Sequence, residues 1–186
     1  MIEVEMKLPI DHTEAVQADL EKIGFIKSDL FCEEDVYFDN DSWQIRKNGE
    51  ALRVRKVTDL LTDQSNAVIT YKGKKMDQVS MSRKELETEV GDEKICIQIL
   101  SALGFHMISP QVRKIRQEYR MDHMTACIDQ VQDLGNFLEL EIVIAEEENK
   151  EDALRQIDEM LHQLGYTLQD TTRNSYLSML QHVEDD

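Results

Sequence analysis

The sequence predicts an α+β fold, an antiparallel β-barrel with helices packed on its outside. Three observations predict it. Strand-like segments are in the majority, most are joined by short turns, and charged residues recur at every second position along them. In the first strand Ile2, Val4, Met6 and Leu8 share one face, and Glu3, Glu5 and Lys7 share the other.

Residues 2–8 form that strand. Residues 11–24 read as a helix: Asp11 and Thr13 offer capping oxygens, Ala15, Val16, Leu20 and Ile23 fall at helical spacing, and Gly24 stops it. Residues 34–39 alternate as a short strand. Lys47-Asn48-Gly49-Glu50 reads as a tight hairpin turn, because Asn-Gly readily takes positive φ, and leads into a strand over 51–57. Strands follow at 67–73 and 79–88. Residues 92–104 form a second helix, with Ile95, Ile99, Leu100 and Leu103 on its apolar stripe. Strands at 112–121, 125–131 and 137–144 precede a helix over 147–164 and a last one over 172–183. Leu-Gly-Phe at 103–105 echoes Ile-Gly-Phe at 23–25 and Leu-Gly-Tyr at 164–166, a common helix ending with an aromatic packed behind it.

The 186 residues fit a single domain over 1–186, with 41% hydrophobic content and no low-complexity linker. A chain this long buries roughly 70% of its unfolded surface, so it needs no disulfide or metal to fold. Cys32, Cys96 and Cys127 are far apart and show no zinc spacing, which points to reduced thiols and the cytoplasm. The N-terminus has no apolar leader, and no run approaches the roughly 18 apolar residues of a spanning helix. Net charge is −17, from 38 acidic and 21 basic residues, which excludes nonspecific binding to nucleic acid or an anionic membrane.

An anionic small molecule is not excluded, because the cations cluster. On the alternating faces lie Lys7, Arg53, Arg55, Lys72, Arg83, Lys114 and Arg116, and the anions Glu3, Glu5, Glu85, Glu87, Asp129, Glu139 and Glu141. Any one such strand also fits an exterior sheet whose charged face is solvated. The combination favours a wet, charged lumen, because Arg/Lys pairs and Glu pairs are segregated onto different strands. Paired carboxylates supply hard oxygen ligands for Mg²⁺ or Mn²⁺. Paired Arg and Lys at period two grip successive phosphates, Arg by its bidentate fork and Lys as a point charge.

The ordered set Glu3-x-Glu5-x-Lys7, Leu52-Arg53-Val54-Arg55, Thr70-Tyr71-Lys72-Gly73, Arg83-Lys84-Glu85-Leu86-Glu87, Lys114-Ile115-Arg116 with Tyr119, Asp129, and Leu134-Gly135-x-Phe137-x-Glu139-x-Glu141 resembles the CYTH superfamily, the triphosphate tunnel metalloenzymes. Leu103-Gly104-Phe105 and Arg173-Asn174-Ser175-Tyr176 look most like its bacterial class IV adenylyl cyclase branch. The resemblance implies a closed eight-stranded antiparallel barrel forming a tunnel. It implies that Glu3, Glu5, Asp129, Glu139 and Glu141 bind the metals, and that Lys7, Arg53, Arg55, Lys72, Arg83, Lys114 and Arg116 hold the triphosphate. Glu85 and Glu87 would orient cations or bind a second metal.

The expected function is a Mg²⁺- or Mn²⁺-dependent enzyme that cyclises ATP to cyclic AMP and pyrophosphate. The same tunnel with water as nucleophile is a triphosphatase for tripolyphosphate, thiamine triphosphate or a nucleoside triphosphate. A non-catalytic polyphosphate or nucleotide sensor is a third reading, disfavoured because an anion binder gains nothing from carboxylates without metal. The expected partner is the small-molecule triphosphate, with no nucleic acid and no membrane; a homodimer is allowed. Tyr37 and Trp43 are placed to pack on a base at the tunnel mouth or to serve as ordinary rim packing. The five histidines lie mostly in polar contexts and read as surface residues, and Ser80 and Ser82 have no base at nucleophile spacing.

Overall fold

A computed structural model describes residues 2–182. Eight strands close into an antiparallel barrel: β1 (Ile2–Pro9), β2 (Ile26–Asn40), β3 (Ala51–Asp59), β4 (Ser65–Lys72), β5 (Arg83–Val90), β6 (Phe105–Met121), β7 (Met124–Val131) and β8 (Gly135–Ile144), in the order β1-β5-β4-β3-β2-β6-β7-β8. Full closure leaves no sheet edge. The helices are α1 (Thr13–Ile23), α2 (Gln44–Lys47), α3 (Glu93–Ala102), α4 (Lys150–Gln163) and α5 (Tyr176–Leu180).

The apolar faces of the strands point outward, and much of this surface lies under the helices, while Leu86 of β5 and Ile115 of β6 stay exposed. Val4, Met6, Leu138 and Leu140 pack with Val16 and Leu20 of α1 and with Ile157, Met160 and Leu161 of α4 in one buried cluster. Val54, Val36 and Phe38 pack beneath Leu100 of α3. Dropping these side chains under helices is the main favourable term of folding, and it forces the alternating charged residues inward.

Several elements differ from expectation. β2 begins at Ile26 rather than 34, and β6 at Phe105 rather than 112. Their pairing shifts register between Lys27 and Leu30 and again between Asp35 and Tyr37, and such a bulge breaks the period-two signal. β5 starts at Arg83 rather than 79. The segment 47–50 is no tight turn: it ends α2, with the Gly49 N–H bonded to the Arg46 carbonyl at 2.8 Å and φ of 71° at Gly49. Asp39 starts that helix by accepting from the backbone N–H groups of Ile45 and Arg46, each at 3.0 Å. His12, not Asp11 or Thr13, occupies the α1 N-cap and makes no side-chain cap bond. The expected helix over 172–183 shortens to α5. Thr172 instead bridges to Lys7 of β1, and residue 183 lies outside the described residues. No helix among the described residues is long and apolar enough to cross a membrane.

Candidate active site in the barrel lumen

Antiparallel pairing places directly opposite residues on the same face. Around the barrel this brings cation against anion: Lys7 opposite Glu139, Arg116 opposite Asp129, Lys114 opposite Glu33, Asp35 opposite Arg55, and Lys72 opposite Glu85. Within lies a cavity of about 350 Å³, lined by Glu3, Glu5, Lys7, Arg53, Arg55, Lys72, Arg83, Glu85, Glu87, Lys114, Arg116, Glu139 and Glu141.

The basic wall is tied into carboxylates. Arg55 forks onto Asp35 at 2.6 and 2.8 Å and meets Glu33 at 2.7 Å. Arg53 reaches Asp35 at 3.5 Å and Thr70 at 3.4 Å. Arg116 forks onto Asp129 at 2.7 and 2.6 Å and also bonds Glu139. Lys114 bridges Asp129 at 2.7 Å and Glu33 at 3.2 Å. Lys72 stands between Glu3, at 3.4 Å, and Glu85. Arg83 is at the mouth, donating to the carbonyls of Gly49 and Gly73 at 3.3 and 3.4 Å.

Not every expected residue faces the open cavity. Asp129 is fully buried, does not line it, and has its oxygens engaged by Arg116, Lys114 and the Tyr176 hydroxyl. Glu87 is half-exposed near the rim, accepting from Thr70 at 2.6 Å. Glu33, Asp35 and Tyr176, all buried, were not among the expected site residues. Glu33-x-Asp35 at period two, with Asp35 opposite Arg55, was the available signal, masked because Glu34 between them puts charge on both faces of β2. Tyr176 comes from outside the barrel, and nothing in its spacing points inward.

The carboxylates divide by their neighbours. Burial opposes ionisation of Glu33, Asp35 and Glu139, but adjacent Arg and Lys charges overcome it and hold all three below the usual carboxylate range. Glu3 is likewise lowered, burial being outweighed by Lys72 and Arg53. Glu5 is raised by burial and by Glu139. Glu141 is pushed up to about 8 by burial and by Glu3 and Glu5, and Glu85 to about 7 by burial and Glu3 against Lys72.

Among the described residues no three side chains converge tightly enough to hold a metal as they stand. The donor chemistry nevertheless fits a hard dication. Glu5 and Glu141 lie close enough to Glu3 and Glu139 for like charge to favour their protonated forms, the condition a divalent ion relieves. The pH dependence follows with a definite sign. Groups raised in the fold bind more protons native than unfolded, so metal-free stability falls as pH rises from about 5 to about 8. The lowered Glu33, Asp35 and Glu139 act oppositely, and their contribution is lost as pH falls below about 4.5. Thermal melts from pH 4 to 9 are expected to peak near about pH 5 without metal, and Mg²⁺ is expected to restore the alkaline side. A metal-free melting temperature that climbs from pH 6 to 8.5 would contradict this electrostatic assignment.

The CYTH domain family matches residues 1–176. The chain is 37% identical over 179 residues to a Methanocaldococcus jannaschii protein named "Putative adenylate cyclase", covering 96% of this chain and 98% of that one. The PH1819 protein of Pyrococcus horikoshii superposes with a TM-score of 0.87 at 28% identity, covering 97% of this chain and 98% of that one. A Hippeastrum protein named "Putative adenylyl cyclase", and described as having a dominant triphosphatase activity, shares the fold alone: 17% identity, TM-score 0.67, covering 97% of this chain and 95% of that one. Barrel, lumen and relatives agree: the chain belongs to the CYTH family.

Proposed function

We propose that this protein is a divalent-metal-dependent enzyme acting on a triphosphate in the barrel lumen, and that it cyclises ATP to cyclic AMP and pyrophosphate. The observation that carries this reading is one cavity with Arg53, Arg55, Lys72, Lys114, Arg116 and Lys7 facing Glu3, Glu5, Glu139 and Glu141. A chain of net −17 repels a polyphosphate at long range, so the grip must come from short-range, charge-assisted hydrogen bonds.

Glu3, Glu5, Glu139 and Glu141 would hold the metal, with Glu85 beside Lys72 tuning its charge. When bound, the metal supplies a Lewis acid that neutralises phosphate charge and acidifies the attacking hydroxyl. Asp129 fixes Arg116 and Lys114 from behind. The arginines offer forks to the phosphate oxygens, and the lysines offer point charges that take up the charge developing on the leaving group. Cyclisation joins the ribose 3′-oxygen to the α-phosphorus and breaks the α–β bridging bond, releasing pyrophosphate. Tyr37, Ile45, Leu52, Ile108 and Leu177 line the same cavity, which favours an organic substituent over bare tripolyphosphate. The adenylate cyclase name of the M. jannaschii relative supports the same choice.

Hydrolysis is the second reading, favoured by a second pocket, lined by Phe31, Glu33, Arg55, Val57 and Asn66, that shares Glu33 and Arg55 with the lumen cavity. Incubation with ATP, thiamine triphosphate and tripolyphosphate, each with Mg²⁺ and with Mn²⁺, separates the two by ³¹P NMR. Cyclic AMP with pyrophosphate is expected. ADP with orthophosphate selects hydrolysis, and no turnover of any triphosphate overturns both.

A further inference from the structure

Lys7 differs from the five lumen cations held in ion pairs. Arg53, Arg55, Lys72, Lys114 and Arg116 each sit against a carboxylate. Lys7 is 2% exposed, lines the cavity, and has no carboxylate oxygen within 4.0 Å among the described residues. Its cross-strand neighbour Glu139 is engaged by Arg116. What faces the Lys7 ammonium instead is the ring of Tyr176, with Nζ 4.1 Å from the ring centroid. The same ring lies 5.2 Å from the Lys114 ammonium, is backed edge-on by Phe137 at 5.0 Å, and is anchored by its hydroxyl donating to Asp129 at 2.9 Å. The segment carrying Tyr176 also grips the Lys7 backbone, through the Thr172 N–H donating to the Lys7 carbonyl at 2.7 Å.

A buried ammonium needs compensation, and a carboxylate partner would have to be displaced before an anion could bind. An aromatic face stabilises the charge without claiming its N–H donors. We infer that Tyr176 is a positioning residue, which holds the Lys7 ammonium as an uncommitted anion receptor in the lumen for a phosphate oxygen of the substrate. The inference rests on the triphosphate reading above, and adds to it a deeply buried cation that meets the anion without first breaking an ion pair, and what keeps it free. The chain segment beyond the barrel thereby completes the site.

Calorimetric titration of the full chain with tripolyphosphate, in EDTA, tests it on Lys7→Met, Tyr176→Leu, Tyr176→Phe and the double variant Lys7→Met/Tyr176→Leu. Lys7→Met and Tyr176→Leu are each expected to weaken binding on the order of tenfold, Tyr176→Phe by less than about twofold, and the double variant no more than Lys7→Met alone. Should Tyr176→Leu melt early, phenylalanines of increasing fluorination at position 176 keep the shape while weakening the ring face, and affinity is expected to fall stepwise. Additive losses in the double variant, or affinity indifferent to fluorination, overturn the role of Tyr176 while leaving the triphosphate reading intact. A Lys7→Met variant that binds as well as the unmodified protein overturns this inference alone, whereas absence of tripolyphosphate binding by the unmodified protein overturns the triphosphate reading, and this inference with it.

Discussion

Replacing Arg116 by alanine is expected to cost both stability and substrate. Its guanidinium forks onto fully buried Asp129 and reaches Glu139, so its removal leaves two carboxylates short of a counter-charge in a closed lumen. Breaking a buried pair on one side costs about 3–5 kcal/mol, which for a chain of this size lowers the melting temperature by on the order of 10 °C. Triphosphate affinity should fall about tenfold or more, because each charge-assisted bond contributes roughly 1.5–3 kcal/mol. Arg116→Lys should rescue little, since an ammonium cannot reproduce the fork. Thermal melts and calorimetry read the two effects separately. Lys150→Ala, which removes an ammonium bound to Asp77 at 3.3 Å outside the lumen, should leave triphosphate affinity unchanged. Equal losses from both would show that diffuse charge holds the ligand.

Glu141→Gln should move stability and activity in opposite directions. Burial and the Glu3 and Glu5 carboxylates push Glu141 up to about 8, so the ionised side chain is a liability in the metal-free protein. A neutral amide removes that repulsion, and the metal-free variant should melt a few degrees higher at about pH 8.5. Metal-dependent turnover should drop about a hundredfold or more, because a charged ligand is gone, while tripolyphosphate binding in EDTA stays within about twofold. A variant that keeps full turnover would remove Glu141 from the metal site.

These predictions draw on a site that the sequence displayed in large part, for a physical reason. Alternation at period two survives wherever a strand is regular, so β1, β3, β5, β8 and the Lys114–Arg116 part of β6 announced their charged faces, and closure could only turn those faces inward. β2 hid Glu33 and Asp35 because Glu34 between them carries charge on the opposite face, so Glu33-Glu34-Asp35 shows no alternation. The pairing partners were equally illegible: that Asp129 would be consumed by Arg116 and Lys114 depends on register, which period alone does not fix. Tyr176 was invisible as a lumen residue because its place depends on Thr172 bridging to Lys7, a contact spanning almost the whole chain. Asn48-Gly49 misled because positive φ at Gly49 serves a helix ending as readily as a hairpin turn.

The central claim is that a metal-bound triphosphate sits inside this barrel, between its acidic and basic walls. Diffraction at the manganese edge, from crystals grown with Mn²⁺ and a non-hydrolysable ATP analogue, tests that most directly. The account predicts an anomalous peak among Glu3, Glu5 and Glu141, with the phosphates against Lys7, Arg53, Lys114 and Arg116. Manganese and nucleotide bound only on the outer surface, with the lumen ion pairs undisturbed, would contradict it.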